Sequence, residues 1–248
     1  MSDALTMSGR CLRLSRRNVE AVLTSLMLPI MLMLLFVYLF GGAIETGTDK
    51  YVTYVVPGLL LLCAGYGASV TAVSVCHDMA GGIVDRFRSL DVGGAAVLAG
   101  HVAASVVRNA ASTVLVLGVG VLVGFRPQAS ALDWLGAAAM LLAFVVALSW
   151  FAAVIGLLAK TPEGASGFTF FVMFLPYPSS AFVPVHTMPT WIHGFAAHQP
   201  VTPVIETLRS LLLGTPAGAN PWQAVAWCAG ILAVSAGLSA VLFQRRTA

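Results

Sequence analysis

The sequence predicts an all-α integral membrane protein of six transmembrane helices, and three observations carry that reading. Hydrophobic residues fill 58% of the 248 positions and charged ones only 9%, with a mean hydropathy of +0.90. Apolar stretches near the length that crosses a bilayer's hydrocarbon core recur at about 22–41, 54–76, 101–124, 134–158, 166–185 and 222–243. A soluble chain burying this much apolar sequence would need a polar covering, and the composition does not supply one.

Basic residues in the short connections set the orientation. With the N-terminus inside, the inner segments hold Arg10, Arg13, Arg16, Arg17, Arg86, Arg88, Lys160, Arg245 and Arg246, the outer ones Lys50, Arg126 and Arg209. Both termini are therefore expected in the cytoplasm of a multi-pass protein in the cell membrane. The net charge of +3 expresses this asymmetry and points to no nucleic acid.

Residues 1–20 form a cytoplasmic amphipathic segment, with the four arginines on one side of a helical wheel and Met7, Cys11 and Leu14 on another. It can lie on anionic lipid headgroups; a plain positive flank fits the same pattern. No small-residue cleavage site follows the basic stretch, so the first apolar run is expected to stay as a membrane helix. Arg108 falls about two turns into the third span, where it can snorkel to the interface or pair with a carboxylate. Pro176-Tyr177-Pro178 must break or kink the fifth span, which is dense in aromatics at Phe168, Phe170, Phe171 and Phe174. The connection 185–221 is apolar and proline-rich. Trp191, Ile192 and Phe195 suit an interfacial helix. Ile205, Leu208 and Leu212, spaced i, i+3, i+7, suit a second short helix over about 204–213. Both are expected to be re-entrant or surface-lying helices that close the outer face.

The chain lacks the residues of a catalyst. No metal motif or serine elbow is present, and His193 and His198 are spaced five apart, wrong for one helix face. Residues 42–50 superficially resemble a phosphate loop, but the lysine is displaced by two positions. The four cysteines, Cys11, Cys63, Cys76 and Cys228, form no CxxC pair and read as small apolar filler. Span interiors carry no Asp or Glu, which disfavours an ion-coupled carrier. The expectation is a non-catalytic chain with no metal and no cofactor of its own.

One polar island interrupts this pattern. Between 77 and 92, Met79, Ile83, Val84, Phe87 and Leu90 share one helical arc, and Asp78, Asp85, Arg88 and Ser89 the other, with Arg86 at the boundary. Such a helix can rest on the bundle or fill a partner's groove, its charges rimming the contact. A solvated loop that fixes topology fits the same spacing.

Several motifs add to this reading. They are Pro29 followed by Phe40-Gly41-Gly42, Tyr54-Val55-Val56-Pro57-Gly58, and Asp78 ahead of Gly82-Ile83-Val84-Asp85-Arg86-Phe87-Arg88-Ser89-Leu90. Further on come Ser180-Ala181-Phe182-Val183-Pro184, Met188-Pro189-Thr190-Trp191 and Gln199-Pro200-Val201-Thr202. On these the chain resembles ABC-2 type permeases, close to the daunorubicin-resistance exporters of actinobacteria, over nearly its whole length. The family usually has proline at the position of Asp91 and asparagine at that of Gln199.

The resemblance implies a coupling helix between spans 2 and 3, seated in a cytoplasmic ATP-binding cassette subunit. Its residues here are Asp78, Met79, Gly82, Ile83, Asp85, Arg86, Phe87, Arg88, Ser89 and Leu90. It implies an N-terminal connecting helix beside that element, short helices between spans 5 and 6, and a second permease subunit, identical or paralogous. ATP and magnesium would belong to the partner ATPase. Substrates would be amphipathic drugs or lipid-like molecules, passing a lining drawn from Tyr66, Gly67, Ser69, Phe171, Phe174 and Tyr177. The competing classes are an ATP-independent facilitator or carrier, and a non-transport immunity or scaffold protein.

Overall fold

A computed structural model describes residues 9–11, 19–44, 50–81 and 94–247. All regular elements among them are helical: α1 Val19–Leu35, α2 Tyr51–Ala80, α3 Gly94–Val123, α4 Ala131–Leu158, α5 Pro162–Phe174, α6 Thr190–His198, α7 Val201–Leu213 and α8 Asn220–Thr247. A π-helical turn, Phe36–Phe40, extends α1, and a 3₁₀ turn, Val185–Thr187, precedes α6.

Helix α2 is the hub. It packs against α1, α3, α4, α5 and α7, and it is buried almost all round from Tyr51 to Ala68. A helix apolar on every side has no water-facing side and lies in lipid or inside protein; here neighbouring helices enclose it. Helix α4 is the second enclosed element, between α2 and α8. Their crossing is close because Gly156 has no side chain: a Cβ there would stand 2.5 Å from the carbonyl oxygen of Ala72 and 2.8 Å from Val75 Cβ. The α4 N-terminus is fixed by a capping box, in which the Ser130 amide donates to Asp133 Oδ2 at 2.9 Å and the Asp133 amide donates back to Ser130 Oγ at 3.3 Å.

Among the described residues, four helices are long and apolar enough to cross a membrane: α2, α3 from Ala96, α4, and α8 to Phe243. They match the second, third, fourth and sixth predicted spans. Helix α1 with its π turn covers the first, its apolar part being Met27–Phe40. The fifth predicted span departs most from expectation. Helix α5 starts at a Thr161 cap with Pro162 in its first turn, and ends at Phe174. From there the chain runs in turns to Phe182, because Pro176 and Pro178 cannot continue a helix.

Two short helices, α6 and α7, lie between α5 and α8. Trp191 and Phe195 of α6 are exposed. Helix α7 starts at Val201, and its Val204, Ile205, Leu208 and Leu212 are fully buried. It packs against α4 and α8, so it is an inserted core element rather than a surface-lying one. Gly214, at φ +69°, ends it in the left-handed conformation that glycine tolerates.

The bundle has two recognisable ends. At one, the C-terminal parts of α2, α4 and α8 meet the start of α3, where Val75, Leu98, Ala153, Leu157 and Phe243 form a small apolar cluster. At the other lie Lys50, the 124–130 connection, α6 and α7. There Tyr51 donates its hydroxyl to the Phe182 carbonyl at 2.8 Å.

Candidate functional site

Asp78 sits near the end of α2, in register with Gly67 and Thr71, which lie eleven and seven positions earlier on the same stripe. That stripe faces α3, whose own stripe carries His101, Ser105, Arg108, Asn109 and Ser112. His101, Ser105, Asn109 and Ser112 are buried, so α2 and α3 are joined along a polar seam. Arg108 donates to the Gly67 carbonyl at 3.2 Å and to Thr71 Oγ1 at 3.0 Å. Asn109 donates to the Ser105 carbonyl at 2.9 Å. Ser149 of α4 reaches in to donate to Ser105 Oγ at 2.8 Å. Small side chains bring these helices together: a Cβ at Gly67 would collide with the Asn109 amide.

At the helix ends the seam becomes ionic. Arg10 Nη1 donates to Asp78 Oδ2 at 2.8 Å, and Nη2 reaches Oδ1 at 3.3 Å. His101 Nε2 lies 3.2 Å from the same Oδ2. The Asp78 carboxylate raises the Arg10 guanidinium above its ordinary range, chiefly through the hydrogen bond. Bidentate pairing of this kind is directional as well as attractive.

This revises one sequence expectation. Asp78 was placed on the polar rim of a docking helix; it is buried and turned into the bundle, because α2 continues without a break to Ala80. Arg108 is turned toward α2, where the Gly67 carbonyl and Thr71 Oγ1 accept from its guanidinium. Met79 packs half-buried against the Val75–Leu98–Phe243 cluster. Gly82, Ile83, Asp85, Arg86, Phe87, Arg88, Ser89 and Leu90 lie outside the described residues, as do Arg13, Arg16 and Arg17.

The residues proposed to line a substrate path are only partly gathered. Tyr66 and Ser69 occupy one face of α2, three positions apart, and Ser69 Oγ is 2.9 Å from Thr169 Oγ1 of α5. Phe171, Phe174 and Tyr177 are exposed. Phe170, Phe174, Tyr177, Phe182 and Phe36 form a continuous row of rings, with centroids 6.3, 5.4, 5.4 and 4.4 Å apart in turn. Phe171 turns aside into a groove of about 250 Å³ between α2, α4, α5 and α8.

At the opposite end, Arg209 was counted among outer-loop cations. It is buried, since α7 inserts into the core. Its guanidinium lies 3.7 Å over the Tyr54 ring and donates to the carbonyls of Tyr54 at 3.1 Å and Ser180 at 2.9 Å. Nη1 meets Glu206 Oε1 at 2.5 Å. One cation thus pins α2, α7 and the 175–182 turns together. His193 and His198 bond instead to the carbonyls of Met188 and Gly194, at 2.6 and 2.9 Å.

The Asp78–His101 and Arg209–Tyr54 pairs were not found by sequence reasoning. Their available signal was periodicity: His101 and Arg108 repeat at i, i+7 in an apolar run, as Thr71 and Asp78 do.

The sequence profile described as ABC-2 type transporter matches residues 3–213. The chain is 29% identical to the daunorubicin resistance ABC transporter permease protein DrrB1 of Streptomyces coeruleorubidus, covering 100% of this chain and 88% of the relative. It is 26% identical to the probable doxorubicin resistance ABC transporter permease protein DrrC of Mycobacterium tuberculosis, covering 99% and 89%. Identity to the doxorubicin resistance permease protein DrrB of that organism is 25%, over 91% and 83%.

Proposed function

Since the chain belongs to the ABC-2 type transporter family, we propose that it is the membrane-spanning subunit of an exporter driven by a separate cytoplasmic ATP-binding cassette subunit. Segment 77–92 is the coupling element, residues 1–20 are its cytoplasmic neighbour, and the conduit is completed by a second permease subunit. All six apolar runs cross the membrane, with both termini inside. The cargo is amphipathic, passing aromatic and small side chains that include Tyr66, Ser69, Phe171, Phe174 and Tyr177.

The observation that best supports this reading is the Asp78 clasp. Segment 77–92 begins in the last turn of α2 and leads along the chain toward α3, and Asp78, near its start, binds His101 and Arg10. A push on the segment is then delivered to both helices and to the N-terminal segment together. Packed helices respond to such a push as rigid bodies. ATP-induced closure of the partner would tilt α2 and α3 in this way.

Replacing Asp85 and Arg86 by alanine, or Phe87 by alanine, tests the proposal directly. Loss of co-purification with the ATPase, or of its stimulation in liposomes, is expected. Unchanged assembly and coupling would remove the segment from this role. The buried Asp78–His101 pair is the observation that favours an ion-coupled carrier instead. It sits at the helix ends with Arg10 against it, which suits a structural joint better than a mobile proton. Transport by the purified chain without ATP would reverse that judgement.

A further inference from the structure

A groove of about 350 Å³ runs between α4, α7 and α8. Gly136, Ala139 and Ala143 line it from α4, Leu211 from α7, and Pro221 and Val225 from α8. Its two hydroxyls, those of Thr207 and Ser210, donate to the Pro203 and Thr215 carbonyls, which leaves the surface apolar. None of the lining residues belongs to α2 or α5, so the groove is separate from the path proposed for cargo.

Depth identifies what meets this surface. Trp134 and Trp222 are exposed in the first turns of α4 and α8, and tryptophan on a membrane helix favours the headgroup level. Along α4 the groove starts two residues past Trp134, at Gly136, and reaches Ala143, about 10 Å further on. It therefore lies just beneath the headgroups, among acyl chains.

A carboxylate heads the α4 side of the groove. Asp133 lies one turn before Gly136 on the same side of the helix. The Ser130 amide and hydroxyl both donate to its Oδ2, at 2.9 and 2.6 Å, so Oδ1 keeps its capacity to accept. Arg126, the nearest cation along the chain, donates instead to the Val121 and Phe125 carbonyls at the end of α3. The charge above the groove is thus negative. It repels an acidic headgroup and suits an ammonium that carries N–H donors.

We propose that the groove is a resident-lipid site, in which one acyl chain of an ethanolamine-type phospholipid seats between α4, α7 and α8 while its ammonium donates to Asp133 Oδ1. The lipid belongs to the folded subunit and is not cargo. It braces α7 against α4 and α8 from the membrane side. The site requires that α4 and α8 cross the membrane, and it does not rest on the exporter reading.

The test mixes the full chain, in detergent, with equal amounts of palmitoyl-oleoyl phosphatidylethanolamine and phosphatidylcholine, and reads retained lipid by native mass spectrometry. The two lipids share their acyl chains and differ in whether the ammonium has N–H donors. The expected result is one retained phospholipid per chain, with phosphatidylethanolamine favoured about fivefold, the size of one hydrogen bond. Asp133→Asn keeps an acceptor for the Ser130 cap but removes the charge, and brings the two lipids toward parity. Ala139→Leu with Ala143→Leu fills the groove from two exposed positions and abolishes retention of both. Equal retention of the two lipids by the unsubstituted chain overturns the proposal. So does an unchanged preference in Asp133→Asn, or retained lipid in the leucine variant. A chain that holds no lipid but dimerises through this face, and loses the dimer in the leucine variant, overturns it as well. If Asp133→Asn does not assemble, the lipid pair and the leucine variant still decide.

Discussion

Asp78 Oδ2 and His101 Nε2 face each other at 3.2 Å across the α2–α3 seam, and Arg10 closes on the same oxygen from the N-terminal segment. Three stretches far apart in sequence thus meet at one carboxylate. Removing it takes away the carboxylate that Arg10 and His101 share.

Asp78→Ala should therefore lower thermal stability in detergent by on the order of 3 kcal/mol, the usual cost of breaking a buried pair from one side. His101→Ala in the same chain should restore part of the loss. Strictly additive losses in this double-mutant cycle would show that the two side chains do not interact.

Arg209→Met removes the donor for the Tyr54 and Ser180 carbonyls and leaves both buried. We expect a loss of roughly 2–4 kcal/mol and faster hydrogen exchange over 175–182. Arg209→Lys should rescue little, because one ammonium cannot serve both carbonyls and stack on the Tyr54 ring. Wild-type exchange in the lysine variant would argue against the pinning role.

Gly67→Ala places a methyl on the Asn109 amide. The expected result is a reduced melting temperature that Asn109→Ser in the same chain largely recovers. At Gly58 the neighbour is Ala181, with its Cα and carbonyl oxygen 2.8 and 2.9 Å from the added carbon. Backbone cannot be trimmed, so Gly58→Ala should resist second-site repair. Recovery of neither or both would contradict this distinction.

All four cysteines are buried thiols outside any disulfide. In lipid the folded chain should take up little maleimide, and all four thiols should react after SDS. Rapid labelling of Cys63 or Cys76 in the folded protein would mean that the α2 core opens.

Much of this architecture is written in hydropathy alone. Length and apolarity locate α2, α3, α4 and α8, and Pro176 and Pro178 mark where α5 stops. Periodicity also finds α7, through Ile205, Leu208 and Leu212. What it does not report is depth. Arg209 has the spacing of an amphipathic helix whether that helix lies on the surface or inserts into the core. Asp78 illustrates a different loss: a helical wheel begun at the polar island separates it from the α2 register, whereas one begun at Gly67 carries it onto the seam. Pair identity also depends on contacts between distant segments. Arg10 and Asp78 are 68 positions apart, and no local pattern joins them.

The missing side chain of Gly156 has a mechanical consequence. With the Ala72 carbonyl oxygen only 2.5 Å from where a Cβ would stand, α2 and α4 have almost no slack at their crossing. Prying them apart would uncover a tightly interlocked surface. Helices α1, α3 and α8, by contrast, carry long exposed apolar sides at residues such as Met31, Leu122 and Val234. The α2–α4 crossing is thus a fulcrum. Helix displacements in this protein should turn about it and be largest at the periphery.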